Sequence, residues 1–108
     1  MKRGDIVTVA LQGDLGKPRP AVVVQTDWVD ETTTVLVCPM TGTIRDAPIY
    51  RLLVPADSRT GLTRPSQIMA DKIVAIRRDK CGPVIGSLNE TTLAVLGRML
   101  ALMTGIAG

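Results

Sequence analysis

The sequence predicts a small, mainly β domain whose strands curl into a strongly bent barrel and whose chain ends in one α-helix. Short β-rich runs recur between turn signals from Ile6 to Ile85. The stretch Leu93 to Ile106 instead carries apolar residues at helical spacing. At 108 residues the chain is long enough for one hydrophobic core and too short for two. Hydrophobic residues make up 45% and charged ones 21%, an ordinary globular balance that argues against disorder.

Taken in order, Ile6 to Leu11 alternates weakly and reads as a first strand, and Gln12 to Lys17 as a glycine-bearing loop. Ala21 to Gln25 is apolar enough for a strand buried on both faces. After a polar turn at Thr26 to Glu31, Thr33 to Cys38 and Ile49 to Val54 give two more β-rich runs. Ser66 to Ala70 and Ile73 to Arg77 follow the loop Pro55 to Thr63, and Cys81-Gly82-Pro83 is expected to break the pattern before a short Val84-Ile85 segment. Ser87-x-x-Glu90 has capping-box spacing and Asn89 offers a second N-cap, so a helix should begin between Leu88 and Glu90. Leu93, Leu96, Leu100 and Met103 form one apolar stripe, while Val95, Met99 and Leu102 form another. One small barrel cannot cover both, and a second copy of the chain is the expected cover.

Several functions are excluded or narrowed by composition. There is no histidine, which removes imidazole acid–base pairs, Ser/His/Asp triads and the common zinc sites. Gly13-x-x-Gly16 lacks the further glycines and the Lys-Ser/Thr of a phosphate-binding loop. The acidic cluster around Asp27, Asp30 and Glu31 reads as a charged turn, so neither a metal nor another cofactor is expected. Net charge is +3 and nine of the thirteen basic residues are arginine, a balance that suits a polyanionic partner without demanding one. Two cysteines and the lack of a secretory segment before the first strand lead to the expectation of a reducing cytoplasm. The C-terminal apolar stretch is interrupted by Arg98 and falls short of the ~20 residues of a membrane span.

The chemically most informative stretch is Lys17-Pro18-Arg19-Pro20, directly before the apolar run Ala21 to Val24. Each proline fixes its own φ and forces the residue before it towards extended backbone, so Arg19 is held straight. Its guanidinium offers a planar, permanently charged fork for a phosphate or a carboxylate. On these four residues alone, an ordinary surface arginine in a stiff loop fits equally well.

Three segments set this arginine in a wider pattern: Lys2-Arg3-Gly4-Asp5-Ile6-Val7 at the start, Arg19-Pro20-Ala21-Val22-Val23-Val24, and Val37-Cys38-Pro39-Met40-Thr41. Gly61-Leu62-Thr63-Arg64-Pro65-Ser66-Gln67 and Ala70-Asp71-Lys72-Ile73 continue it. In order and spacing the chain resembles the MazF/PemK (Kid) family of toxin endoribonucleases over nearly its whole length as one domain. The resemblance implies an SH3-like barrel, a homodimer, and metal-independent cleavage of single-stranded RNA by the 2′-hydroxyl, leaving a 2′,3′-cyclic phosphate and a 5′-hydroxyl. It also implies an acidic, partly disordered antitoxin as partner.

By the same resemblance, the arginine of the Arg-Pro pair and the threonine closing the Val-x-Pro strand fall on Arg19 and Thr41 as catalytic residues. Asp71 matches an acidic position of the Kid branch, either as general base or as a structural carboxylate, with Met69 where that branch has an arginine. Lys17, Thr43 and Gln67 are the candidates for RNA contacts. The chain departs from the family in a shorter first loop with Asp14 as its sole acid, in Gly42 after Thr41, and in the missing Kid histidine. Two aromatics, Trp28 and Tyr50, give little platform for base stacking or for a polyproline-binding adaptor. A non-catalytic gyrase poison of the related CcdB type is the alternative, although its C-terminal aromatic is absent.

Overall fold

In the computed structural model, residues 1–11 and 17–107 are described; most of the expected first loop, including Asp14, lies outside them. Seven strands and one helix follow in order: β1 (Asp5–Ala10), β2 (Pro18–Val23), β3 (Thr34–Thr41), β4 (Arg51–Val54), β5 (Ser66–Met69), β6 (Val74–Arg77), β7 (Cys81–Ser87) and α1 (Glu90–Met103). The strands form a single antiparallel sheet with the path β4-β5-β3-β2-β1-β7, and β6 pairs with β3 off that path.

The hydrogen-bonded ladder does not close, so the expected barrel is one only loosely. Its curl has another cause. β6 lies on β3 and β7 lies on β1, yet the two are separated in sequence only by a 3₁₀ turn at Arg78–Lys80. The opposite ends of the path β6-β3-β2-β1-β7 are therefore tied together by the chain rather than by a ladder.

Period-two alternation divides the sheet into two buried faces. Ile6, Val22, Val24, Cys38 and Met40 join Val54, Ile68, Leu96, Met99 and Leu100 beneath the helix. Val7, Val9, Ala21, Val23, Val35 and Val37 form the other cluster, with Ile76 and Cys81 packed on it from the tied strands. Burial of Ala21 to Val24 on both faces is as the sequence predicts.

The chain differs from expectation at three places. Arg19 lies inside a strand and not in a corner before one, because an extended Pro-Arg-Pro backbone pairs readily with β1 in the register Thr8↔Pro20, Val9↔Arg19 and Ala10↔Pro18. β3 runs on through Pro39 to Thr41. Cys81-Gly82-Pro83 opens β7 instead of breaking the pattern: the β1–β7 register shifts at a bulge, and a Cβ on Gly82 would stand 2.2 Å from Thr8 Oγ1.

α1 is capped by Asn89, whose Oδ1 accepts from Thr92 N at 2.8 Å, so the second N-cap choice prevails. Leu96, Met99 and Leu100 are buried, whereas Leu102, Met103 and Ile106 remain 53%, 40% and 84% exposed. No helix among the described residues is long and apolar enough to cross a membrane.

Candidate active site

The β2–β3 register explains where a cleft opens. Ala21 faces Pro39, Val22 faces Cys38 and Val23 faces Val37, and the pairing stops there. Pro20 and Pro39 carry no N–H, so a regular ladder cannot continue past them. Followed two residues further, the same register sets Arg19 opposite Thr41. Arg19 shares a sheet face with Ala21 and Val23, and Thr41 shares it with Val35 and Val37. Both side chains thus extend the second apolar cluster beyond its covered end.

A cleft of about 400 Å³ occupies this position. Its lining includes Lys17, Arg19, Thr41, Gly42, Thr43 and Arg64, together with Met40 and Leu62 from the cluster beneath the helix. Lys17 and Thr43 are exposed, while Arg19 and Thr41 are half-buried.

Thr41 is oriented by its own loop. Its Oγ1 accepts the backbone N–H of Thr43 at 3.1 Å, a local turn contact that leaves the hydroxyl proton to donate outward. The Thr43 carbonyl in turn accepts from Arg51 Nη1 at 3.3 Å, and the same nitrogen donates to Gln67 Oε1 at 3.1 Å. Gln67 also holds both sides of the Arg45 backbone: its Oε1 accepts from Arg45 N at 3.0 Å and its Nε2 donates to Arg45 O at 2.8 Å.

Of the residues singled out from the sequence, the structure therefore gathers Lys17, Arg19, Thr41 and Thr43. Gln67 is only 6% exposed and faces inward, its amide spent on Arg45 and Arg51. Asp71 is exposed on a 3₁₀ turn at Ala70–Lys72 and is not part of the cleft wall. Burial pushes the Cys38 thiol up to about 12; Arg3 favours its thiolate, but less strongly than burial disfavours it, and the Asp71 charge adds a smaller upward push. Cys38 is in consequence a neutral core residue, as its place in an apolar strand suggests.

Arg64 is the wall residue that sequence reasoning left out. The available signal was Gly42. A Cβ there would lie 2.3 Å from Arg64 Nε and 2.5 Å from its Cζ and Nη2, so the guanidinium occupies the space a side chain after Thr41 would take. Upstream, Gly61 adopts φ +69° and a Cβ on it would stand 1.9 Å from Ile85 O, which makes glycine necessary where the chain turns towards Arg64.

Comparison with known proteins agrees with this geometry. Residues 2–104 match the family described as PemK-like, MazF-like toxin of type II toxin-antitoxin system. A relative from Mycolicibacterium smegmatis, named "Probable endoribonuclease MazF", is 39% identical over the whole of both chains. Among solved structures, the Mycobacterium tuberculosis toxin MazF-mt6 superposes with a TM-score of 0.81 at 25% identity, covering 96% of this chain and 99% of that one. A mycobacterial endoribonuclease in complex with its cognate antitoxin gives 0.81 at 23% identity, over 100% and 98%. The MazE–MazF complex of Deinococcus radiodurans gives 0.79 at 21%, over 99% and 97%; these last two likenesses bear on the fold.

Proposed function

The chain belongs to the PemK-like, MazF-like toxins of type II toxin-antitoxin systems, and from that premise we propose that it is an endoribonuclease that cuts single-stranded RNA without a metal. The observation carrying this reading is the convergence of Arg19 and Thr41 on one cleft at the point where β2 and β3 part. In the reaction the ribose 2′-oxygen attacks the adjacent phosphorus, a P–O2′ bond forms and the P–O5′ bond breaks. The 2′-hydroxyl proton is lost and the 5′-oxygen gains one, leaving a 2′,3′-cyclic phosphate and a 5′-hydroxyl.

Negative charge grows on the non-bridging oxygens as phosphorus becomes five-coordinate, and donors already in place stabilise it most. Arg19 supplies a charged fork and Thr41 a hydroxyl whose oxygen is already satisfied by Thr43. Lys17 and Thr43 bind the flanking RNA. Gln67 is a positioning residue in this reading: it acts on the Thr41–Thr43 segment through Arg51 and Arg45. Asp71 has a structural role in this reading, which its place outside the cleft lining supports.

A second copy of the chain covers Leu102, Met103 and Ile106, whose exposure a monomer leaves unexplained. An acidic antitoxin completes the system, because a basic cleft of this kind accepts an acidic segment that folds on binding. The two thiols suit a reducing cytoplasm.

The test is cleavage of a mixed-sequence single-stranded RNA in EDTA by the purified protein and by its Arg19→Ala and Thr41→Ala variants. Cyclic-phosphate ends, and their loss in both folded variants, support the reading. Dependence on added metal overturns the mechanism, and undiminished toxicity of Arg19→Ala in cells points to a non-catalytic poison.

A further inference from the structure

The loop that leaves the cleft at Thr43 is fastened by side chains lying beneath it. The Thr43 carbonyl accepts from Arg51 Nη1 at 3.3 Å, and the Arg45 N–H donates to Gln67 Oε1 at 3.0 Å. Arg51 Nη1 and Gln67 Oε1 are themselves 3.1 Å apart, so both bonds point to one side of the chain. A trans peptide carries its N–H and its C=O on opposite sides, and none of the described peptides is cis. The Ile44 N–H shares a peptide with the Thr43 carbonyl, and the Ile44 C=O shares one with the Arg45 N–H. Both groups of Ile44 therefore point away from Gln67. Since Gln67 is 6% exposed and Ile44 52%, that direction is towards solvent.

The next residue shows what such a pair of groups can hold. Arg45 presents its N–H and C=O to the buried side, and the Gln67 carboxamide takes both, accepting through Oε1 at 3.0 Å and donating through Nε2 at 2.8 Å. A nucleobase edge carries the same pattern, an acceptor beside a donor. We infer that the Ile44 backbone reads one base of the bound RNA, its N–H donating to a ring nitrogen or carbonyl oxygen and its C=O accepting the adjacent N–H. This rests on the endoribonuclease reading and deepens it to how sequence is selected. Thr43 lines the cleft, so the base belongs to a nucleotide beside the scissile phosphate. Unstacked RNA bases are read on such edges, and a chain with two aromatics offers little stacking surface in their place. Arg51 is a positioning residue here: with Gln67 it fixes the peptides from the buried side before RNA arrives. Its Nε is buried without a partner, a cost in stability that this role accounts for.

The test binds the 2′-O-methyl form of an RNA sequence that the wild-type protein cuts to the isotope-labelled full chain, followed by NMR. The Ile44 amide proton and carbonyl carbon should shift together. An abasic residue at one position beside the scissile bond should abolish both shifts while the other RNA-dependent shifts remain. In cleavage assays the base at that position is preferred over the alternatives, and Ile44→Pro, which deletes the N–H, lowers the preference by about three- to tenfold, the worth of one neutral hydrogen bond. Arg51→Met lowers the same preference and spares those at other positions, a pattern that general loosening of the fold does not produce. Three results overturn the inference and leave the endoribonuclease reading intact: unmoved Ile44 signals, shifts that survive an abasic residue at each flanking position, or an equal loss of preference in Ile44→Ala, which keeps the backbone pair. Failure of the wild-type protein to cut RNA at all removes both.

Discussion

Cys38 and Thr41 stand three residues apart on β3 and have opposite chemical fates. Cys38 is fully buried between β2 and the helix-side core, with its thiol pushed up to about 12. Thr41, past the last β2–β3 pair, lines a cleft beside Arg19 with its hydroxyl oriented by Thr43. The difference teaches that accessibility along this strand follows the cover over it more than the residue type: a thiol is buried where the β2–β3 ladder is complete, and a hydroxyl reaches a cleft past the last pair.

The comparison can be broken most forcefully from the covered side. Leu96→Ala removes a fully buried side chain from the core beneath the helix. Urea unfolding should then show a loss of about 2–5 kcal/mol, while kcat per folded molecule stays at the wild-type level. Arg19→Ala should do the reverse, with an unchanged unfolding midpoint and a kcat lowered by about 10²–10³, the usual effect of removing one preorganised donor. An Arg19→Ala protein that unfolds more easily but cuts normally would merge the two regions.

Gln67→Ala probes the link between them. Its amide is buried and engaged on Arg45 and Arg51, so about 1–3 kcal/mol of stability should be lost and kcat should fall with little change in KM. A rise in KM alone would return Gln67 to direct RNA contact.

The smallest effect near neutral pH comes from Cys38. Its folded pKa of about 12 lies above the ordinary 9.0, so the folded state keeps its proton where the unfolded state gives it up. The stability this confers is whole below pH 9 and declines as pH rises towards 12, by at most about 1.4 kcal/mol per pH unit. Unfolding measured from pH 8 to 10.5 should show this slope in the wild type and a shallower one in Cys38→Ala.

Much of the fold was readable because local chemistry and tertiary packing agree. The apolar run Ala21 to Val24, the strand of Ser66 to Met69 and the helix after Asn89 carry their own periodicity and cap. β7 was hidden because a Gly-Pro pair normally ends a strand, and only the close approach of Thr8 to Gly82 shows why a bulge is tolerated there. At the site, Arg19 stood out through its flanking prolines and Thr41 through the resemblance, and both line one cleft. The burial of Gln67 was not legible because nothing local distinguishes an amide that contacts solvent from one that holds a neighbouring loop, and the place of Arg64 in the cleft wall was not, because the space it fills is left by Gly42, twenty-two positions away in sequence.

The sequence by itself determined a β-rich domain with a capped C-terminal helix, a stiffened arginine and a chemistry without imidazole, since periodicity, proline geometry and composition are local properties. Tertiary structure alone decided that Arg19 and Thr41 line one cleft, that Gln67 turns inward while Asp71 stays outside the cleft wall, and that Arg64 lies over Gly42. Each of those depends on where one strand stops pairing with another, and strand register is settled by long-range packing of both sheet faces, which no short window of residues contains.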